Sequence, residues 1–270
     1  MPKLPKLPAP PLPGALQAPP PRPGEGNGKA GPLDLGKEAG ISVVDWVDER
    51  TSLSSAGRWL LFRKVPKGTN WFYTFGSATL FAFLSQAVTG VFLAMYYRPD
   101  PAGGAYESIR HVTNEVFLGQ FVRGMHKWGS SVMVILVFLH MGRVFFFGAY
   151  KYPRELNWVI GVVLLILTMV MSFTGYLLPF DQRAYWATIV GVNINGTGPL
   201  IGPYLSDFLR GGGEFGATTL SRFYAIHMLL VPGLLIALIG AHLYLVTKLG
   251  TTAPPWQKAK ERPELLEAEV

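Results

Sequence analysis

The stretch FVRGMHKWGSSVMVILVFLHMGR, residues 121–143, carries two histidines, His126 and His140, 14 residues apart in an apolar run. A second stretch, TLSRFYAIHMLLVPGLLIALIGAHLYLV at 219–246, repeats the arrangement with His227 and His242, 15 residues apart. On an α-helix rising about 1.5 Å per residue, each step covers roughly 21–22 Å along the axis. At about 100° per residue, the second histidine of each pair returns to within about 60° of the first. Each helix therefore offers two imidazoles on one face, at two depths.

The surroundings of these runs place them in a membrane. Of 270 residues, 49% are hydrophobic and only 15% charged, too apolar for an ordinary soluble domain of this size. Near-continuous apolar segments run over Trp71–Tyr97, Val132–Ala149, Leu156–Phe180 and Phe223–Leu249. Each is long enough to cross a hydrocarbon core of about 30 Å. Four crossings bring both termini to the same side.

Lys and Arg gather before the first span (Arg58, Arg63, Lys64, Lys67), between the second and third (Arg143, Lys151, Arg154) and after the fourth (Lys248, Lys258, Lys260, Arg262). By the positive-inside rule this face is the cytoplasmic one, in a multi-pass protein of the cell membrane with both termini cytoplasmic. The net charge of +7 is thus mainly a topology signal. No aromatic-interleaved basic patch points to nucleic acid. With no cysteine in the chain, disulfides, iron–sulfur clusters and thioether-attached haem are excluded, so a redox cofactor must be held without a covalent sulfur bond.

Along the chain, residues 1–40 are Pro- and Gly-rich and read as a disordered cytoplasmic tail. The first 32 hold 11 prolines and no apolar core of a signal peptide. Residues 41–68 pattern as an amphipathic helix in the membrane interface. Residues 69–250 form the bundle, and 251–270 a polar C-terminal tail. A short helix is expected over Glu107–Leu118, and a half-buried interfacial one around Tyr185, Trp186, Ile189 and Val190.

Intramembrane histidines are costly without a partner. Histidines hydrogen-bonded between helices would explain one such residue, but two pairs at matched spacing point to axial ligands of two haems. Two strong axial imidazoles leave no open position on the iron, so such a site only passes electrons. Spans two and four run in the same direction, which pairs His126 with His227 near the outer face and His140 with His242 near the cytoplasmic face. In the other two spans, Gly76 and Gly90 are 14 residues apart, as are Gly161 and Gly175. Glycine lets neighbouring backbone approach the edge of a porphyrin, and two glycines per helix match two haem depths. Haem propionates need cations near the surface, for which Arg123, Lys127, Arg143 and Arg222 are candidates. His111, with no partner at haem spacing, reads as a surface residue.

The runs FVRGMHKW, LHMGRVFFFGAYKYPRELNW, TGYLLPFDQRAYW and TLSRFYAIHMLLVP resemble the cytochrome b/b6 family over about residues 66–250. The 15-residue second step and four spans are similar to the split, b6-like form, the N-terminal four-helix di-haem part, as in a bacterial quinol–cytochrome c reductase cytochrome b subunit. The fold expected is an all-α membrane protein, a four-transmembrane-helix bundle holding two b-type haems. The resemblance implies that His126 and His227 ligate a lower-potential outer haem, and His140 and His242 a higher-potential inner one. It implies quinol oxidation near Trp186 and Val190, quinone as the inner substrate, and a proton gradient built by dividing two electrons. Implied partners are a Rieske iron–sulfur protein, a separate three-helix subunit IV-like protein carrying the Pro-Glu-Trp-Tyr motif missing here, a c-type cytochrome or similar carrier, and lipid, in a dimeric complex. Thr74 stands where b6 proteins have a cysteine that anchors a further haem, so no covalent haem is expected. Thr247, where the family tends to have a basic residue, leaves the inner quinone site open. The alternatives are a di-haem anchor linking a soluble dehydrogenase to quinone, and a transporter with a histidine proton relay.

Overall fold

A computed structural model describes residues 43, 45–51 and 66–256. Every regular element among these residues is helical. The chain divides into two compact units, with the boundary after Arg63. In the first, residues 45–51 are helical, and Arg50 donates from Nη1 to the Trp46 carbonyl at 2.8 Å with its guanidinium 4.2 Å over the indole. That short piece falls within the expected interfacial helix. The rest of that helix up to residue 65, the tail at 1–40 and residues 257–270 lie outside the described residues.

The second unit is the bundle. A 3-10 turn, Trp71–Thr74, is capped by Asn70, whose Oδ1 accepts the Phe72 N–H, and leads into α1, Phe75–Ala94. A short helix, α2, spans Gly104–Asn114. It sits a few residues before the expected Glu107–Leu118, because Leu118, at φ 57°, takes a left-handed turn that separates it from α3, Gly119–Phe146. At about 1.5 Å per residue, the 28 residues of α3 span about 42 Å, so it overhangs the hydrocarbon core. The apolar run from Val132 is only its inner part. Arg123 and Lys127 ride on its first three turns, and their long side chains let the charge reach beyond an apolar span rather than ending the helix.

The third crossing is α4, Glu155–Leu177. Two further short helices follow, α5 at Gln182–Gly196, N-capped by Asp181 through the Ala184 N–H, and α6 at Gly202–Arg210, ended by Gly211 at φ 79°. The last crossing begins as α7, Ala217–Ala225, widens into a π-turn at Ile226–Leu230, and continues as α8, Val231–Leu249. Pro232 lies two residues beyond the wide turn. Its ring would press on the carbonyl of Met228 four residues earlier in a regular α-helix, and the π-turn opens that space.

Four helical stretches are long and apolar enough to cross a membrane: Trp71–Ala94, Gly119–Phe146, Glu155–Leu177 and Ala217–Leu249. Their outer surfaces carry Phe81, Val88, Phe146 and Leu229, each more than 70% exposed. In water such a surface would drive aggregation; against lipid it is the stable arrangement. Within the bundle α1 packs on α3, and α4 on α8.

Contacts at the two ends settle the topology of this unit. At one end, Arg154 before α4 donates to the Leu249 carbonyl at 3.3 Å, Tyr73 donates to the Thr252 carbonyl at 3.1 Å, and Phe147 meets Trp256 edge-on at 5.4 Å. The start of span one, the loop between spans two and three, and the exit of span four therefore share one end. At the other end, Tyr97 after α1 donates to the Leu178 carbonyl after α4 at 2.6 Å. The first part of the expected polar tail is a packed segment instead. Pro254 is fully buried and Trp256 donates to the Gly68 carbonyl at 3.2 Å, because this segment contributes apolar rings to the end of the bundle.

Candidate functional site

His126 on α3 and His227 in the π-turn face each other, with ring centroids 6.4 Å apart and planes crossed at 81°. A metal ion held between two imidazole nitrogens at bonds of about 2 Å sets ring centres about 6 Å apart, so this pair has the separation of two axial ligands on one iron. Beside them opens a cavity of about 510 Å³, within the size range of cofactor sites. Arg123, Lys127 and Arg183 line it, as do Gly90 and Gly175. His140 on α3 and His242 on α8 form the second pair, within electrostatic reach of one another. The structure thus brings His126 to His227 and His140 to His242.

Each of the four glycines lies against one of these imidazoles. A Cβ placed on Gly76 would stand 3.1 Å from His140 Cε1, one on Gly90 3.2 Å from His126 Cε1, one on Gly161 3.6 Å from His242 Cε1, and one on Gly175 2.6 Å from His227 Cε1. The spacing alone suggests that glycine clears room for a porphyrin edge. In the structure each glycine clears room for the histidine ring itself. The reason is the close packing of α1 on α3 and α4 on α8, which brings the backbone of one helix onto the side chain of the next.

The unequal steps also find their cause. A π-turn absorbs one extra residue, so the 15 residues from His227 to His242 advance like about 14 in a regular helix. Both pairs then present their rings with the same offset, about 40° short of full turns.

The cations divide differently from the sequence expectation. Arg123 and Lys127 line the outer cavity. Arg143 lies near His140, its Nε donating to the Phe72 carbonyl at 3.2 Å and its guanidinium 4.5 Å over Tyr73. Arg222 is turned away: Nη1 bonds the Phe208 carbonyl, and its guanidinium lies 5.3 Å over the Phe208 ring. It ties α7 to the end of α6 and does not line the cavity. Five residues before His227 the wide turn and the approach of α6 set its direction, neither of which sequence spacing reveals. Arg183, which sequence reasoning missed, takes its place, in the first turn of α5 two residues beyond Asp181. Trp186 and Val190, at i and i+4 on α5, share its exposed face, away from the buried Ala184, Thr188 and Val192. His111 pairs with Glu115 at 2.8 Å on the surface, as expected. Sequence reasoning also missed Thr89 and Thr174, each directly before a site glycine and each at hydrogen-bond distance from a histidine. The repeated Thr-Gly dipeptide was the signal that could have found them.

The family model for Cytochrome b/b6/petB matches residues 61–250. The chain belongs to the cytochrome b/b6 family. Among curated relatives, the menaquinol:cytochrome c reductase cytochrome b subunit of Geobacillus thermodenitrificans is 44% identical over 220 residues, covering 78% of this chain and 98% of that one. Cytochrome b6 of Heliobacterium modesticaldum is 43% identical over 213 residues, covering 78% of this chain and all of that one. A solved structure titled Hyperthermophilic respiratory Complex III matches with a TM-score of 0.71 and 31% identity over 84% of this chain. This chain spans 62% of that larger one. Membership in the cytochrome b/b6 family implies b-type haem, and the paired imidazoles, cleared by glycine and backed by cations, fit it. The four apolar helices of this family member make it a multi-pass membrane protein.

Proposed function

We propose that this chain is the di-haem cytochrome b subunit of a quinol-oxidising cytochrome bc-type complex, an oxidoreductase, carrying electrons across the membrane between two quinone sites and supporting proton translocation. The observation that carries the reading is four imidazoles, His126 facing His227 and His140 within electrostatic reach of His242, each seated against a glycine of the neighbouring helix. His126 and His227 hold the outer haem, and His140 and His242 the inner one, both without covalent attachment. When bound, haem supplies one-electron transfer. The protein's part would be to supply two imidazole nitrogens to each iron and so leave no position for oxygen or substrate. Arg123, Lys127 and Arg183 neutralise the outer propionates, and Arg143 is the cation nearest the inner pair.

The exposed face of α5 around Trp186 and Val190 borders the quinol side, where a three-helix subunit IV-like protein completes the pocket. A Rieske iron–sulfur protein and a c-type cytochrome or similar carrier take electrons onward, in a dimeric complex. The relative from Geobacillus favours menaquinol as the quinol. Lys and Arg at the end that joins the start of span one to the exit of span four support cytoplasmic termini in the cell membrane.

The deciding experiment is the reduced-minus-oxidised spectrum of the purified complex with its haem-to-protein ratio. Two extractable b-type haems per chain are expected, together with quinol-dependent reduction; protein without b-type absorbance refutes the reading.

The π-turn supplies a further test. Deleting Leu229, which is 76% exposed, together with Pro232→Ala, closes the wide turn to a regular one and keeps the offset between His227 and His242. Both haems are expected to remain. Deleting the exposed Ile135 from regular α3 instead swings His140 by about 100° relative to His126 and loses the inner haem. Haem loss from the first variant would remove the role given to the π-turn.

A further inference from the structure

The outer pair of histidines meets threonine hydroxyls, and the inner pair does not. Thr89 Oγ1 lies 2.9 Å from His126 Nδ1, and Thr174 Oγ1 lies 3.1 Å from His227 Nδ1. Both threonines are buried, at 6% and 1% exposure. His140 Nδ1 and His242 Nδ1 are buried without a hydrogen bond of ordinary geometry. The difference is written in the residue before each glycine: Thr89 and Thr174 precede Gly90 and Gly175, whereas Phe75 and Ile160 precede Gly76 and Gly161.

The hydrogen-bond directions follow from the rest of each contact. Thr89 Oγ1 is 2.7 Å from the Ser85 carbonyl, and Thr174 Oγ1 is 2.8 Å from the Val170 carbonyl, both one turn back on the same helix. A carbonyl only accepts, so the hydroxyl proton goes there and the oxygen is left as an acceptor toward the ring. Nδ1 therefore carries the ring proton at both outer histidines, and Nε2 keeps its lone pair free. At His227 the Met171 carbonyl, 3.1 Å from Nδ1, is a second acceptor that demands the same tautomer.

We infer that Thr89 and Thr174 are positioning residues which, through His126 and His227, lower the reduction potential of the outer haem below that of the inner one. This rests on the bis-histidine reading above. A ring whose Nδ1–H is held by an acceptor is a more basic donor at Nε2, and a more basic donor favours oxidised over reduced iron. Of the inner histidines, His140 lacks that support, and His242 has only the Asn157 backbone carbonyl within reach and no hydroxyl. The Thr-Gly dipeptide is thus one device with two parts, the glycine admitting the ring and the threonine fixing its tautomer and donor strength.

The test is a potentiometric titration of the intact complex, with the two b-type haems assigned by the His140→Leu variant, which retains only the outer one. Thr89→Val and Thr174→Val keep the shape of the side chain and remove the oxygen; Thr89→Ser keeps the oxygen. Each valine variant is expected to favour reduction of the outer haem by about tenfold, equal to 59 mV for a one-electron couple, with the inner haem unmoved. Thr89→Ser is expected to titrate like the wild type. If Thr89→Val does not load the outer haem, Thr174→Val reads the same contact on the opposite axial face. An outer potential unmoved by valine, equal shifts at both haems, or a serine variant that shifts as far as valine overturns the inference while leaving the bis-histidine reading standing. Wild-type protein without two haems overturns both.

Discussion

His140→Leu is expected to remove one of the two haems and leave the other in place. His140 is on α3, about 21 Å along the axis from His126, so the outer pair keeps its partner geometry when the inner ring is lost. Leucine fills the volume of the imidazole but donates no lone pair, and a haem there would be left with the His242 nitrogen alone. The Nδ1 atom of His140 makes no hydrogen bond of ordinary geometry, so no inter-helix hydrogen bond from that atom is lost in the exchange. Haem content should fall to half, with the remaining absorbance belonging to the outer site. Loss of both haems, or of neither, would count against the pairing of His140 with His242.

Gly175→Ala is the second change with a large expected effect. Its Cβ would lie 2.6 Å from His227 Cε1 and 3.2 Å from both ring nitrogens, well inside ordinary contact. The ring has little room to retreat, since His227 is 8% exposed and its Nδ1 is held by Thr174 and by the Met171 carbonyl. Overpacking of this kind costs about 1–3 kcal/mol, which is roughly 5- to 150-fold in haem retention at the outer site. Gly161→Ala is the control, because its Cβ would meet His242 Cε1 at an ordinary 3.6 Å and the inner haem should survive. Gly76→Ala and Gly90→Ala, at 3.1 and 3.2 Å, fall between. Haem-to-protein ratios across the four alanine variants test the order. If Gly161→Ala proves the most damaging, the glycines are serving some other purpose.

Much of this site is legible in the amino-acid sequence. The histidine spacing, the glycine spacing and the apolar runs are periodic signals, and a membrane makes them unusually strict. Each crossing must be a helix long enough for the bilayer, and each buried imidazole must justify its cost. Hence the spans, the two depths and the partner histidines can be read from residues alone. The placement of Arg222 cannot, because an arginine side chain reaches several ångströms in any direction. The approach of α6 offers its guanidinium the Phe208 carbonyl first. Arg183 is hidden for the converse reason. It lies far from the histidines in sequence, and only the turn of the chain beyond Asp181 returns it to the cavity. Residues 251–256 read as polar because packing of Pro254 and Trp256 against the loop ends depends on where spans one and two finish.

The four-span all-α class, the two histidine pairs and the glycine pairs that answer them follow from the chain's residues, since bilayer thickness and helical period leave few other solutions. Tertiary packing alone decides which glycine faces which histidine, that a π-turn evens the steps of 14 and 15, and that threonine backs one pair and not the other. Those outcomes depend on how two helices rotate about their axes to pack, a degree of freedom that spacing along one helix does not constrain.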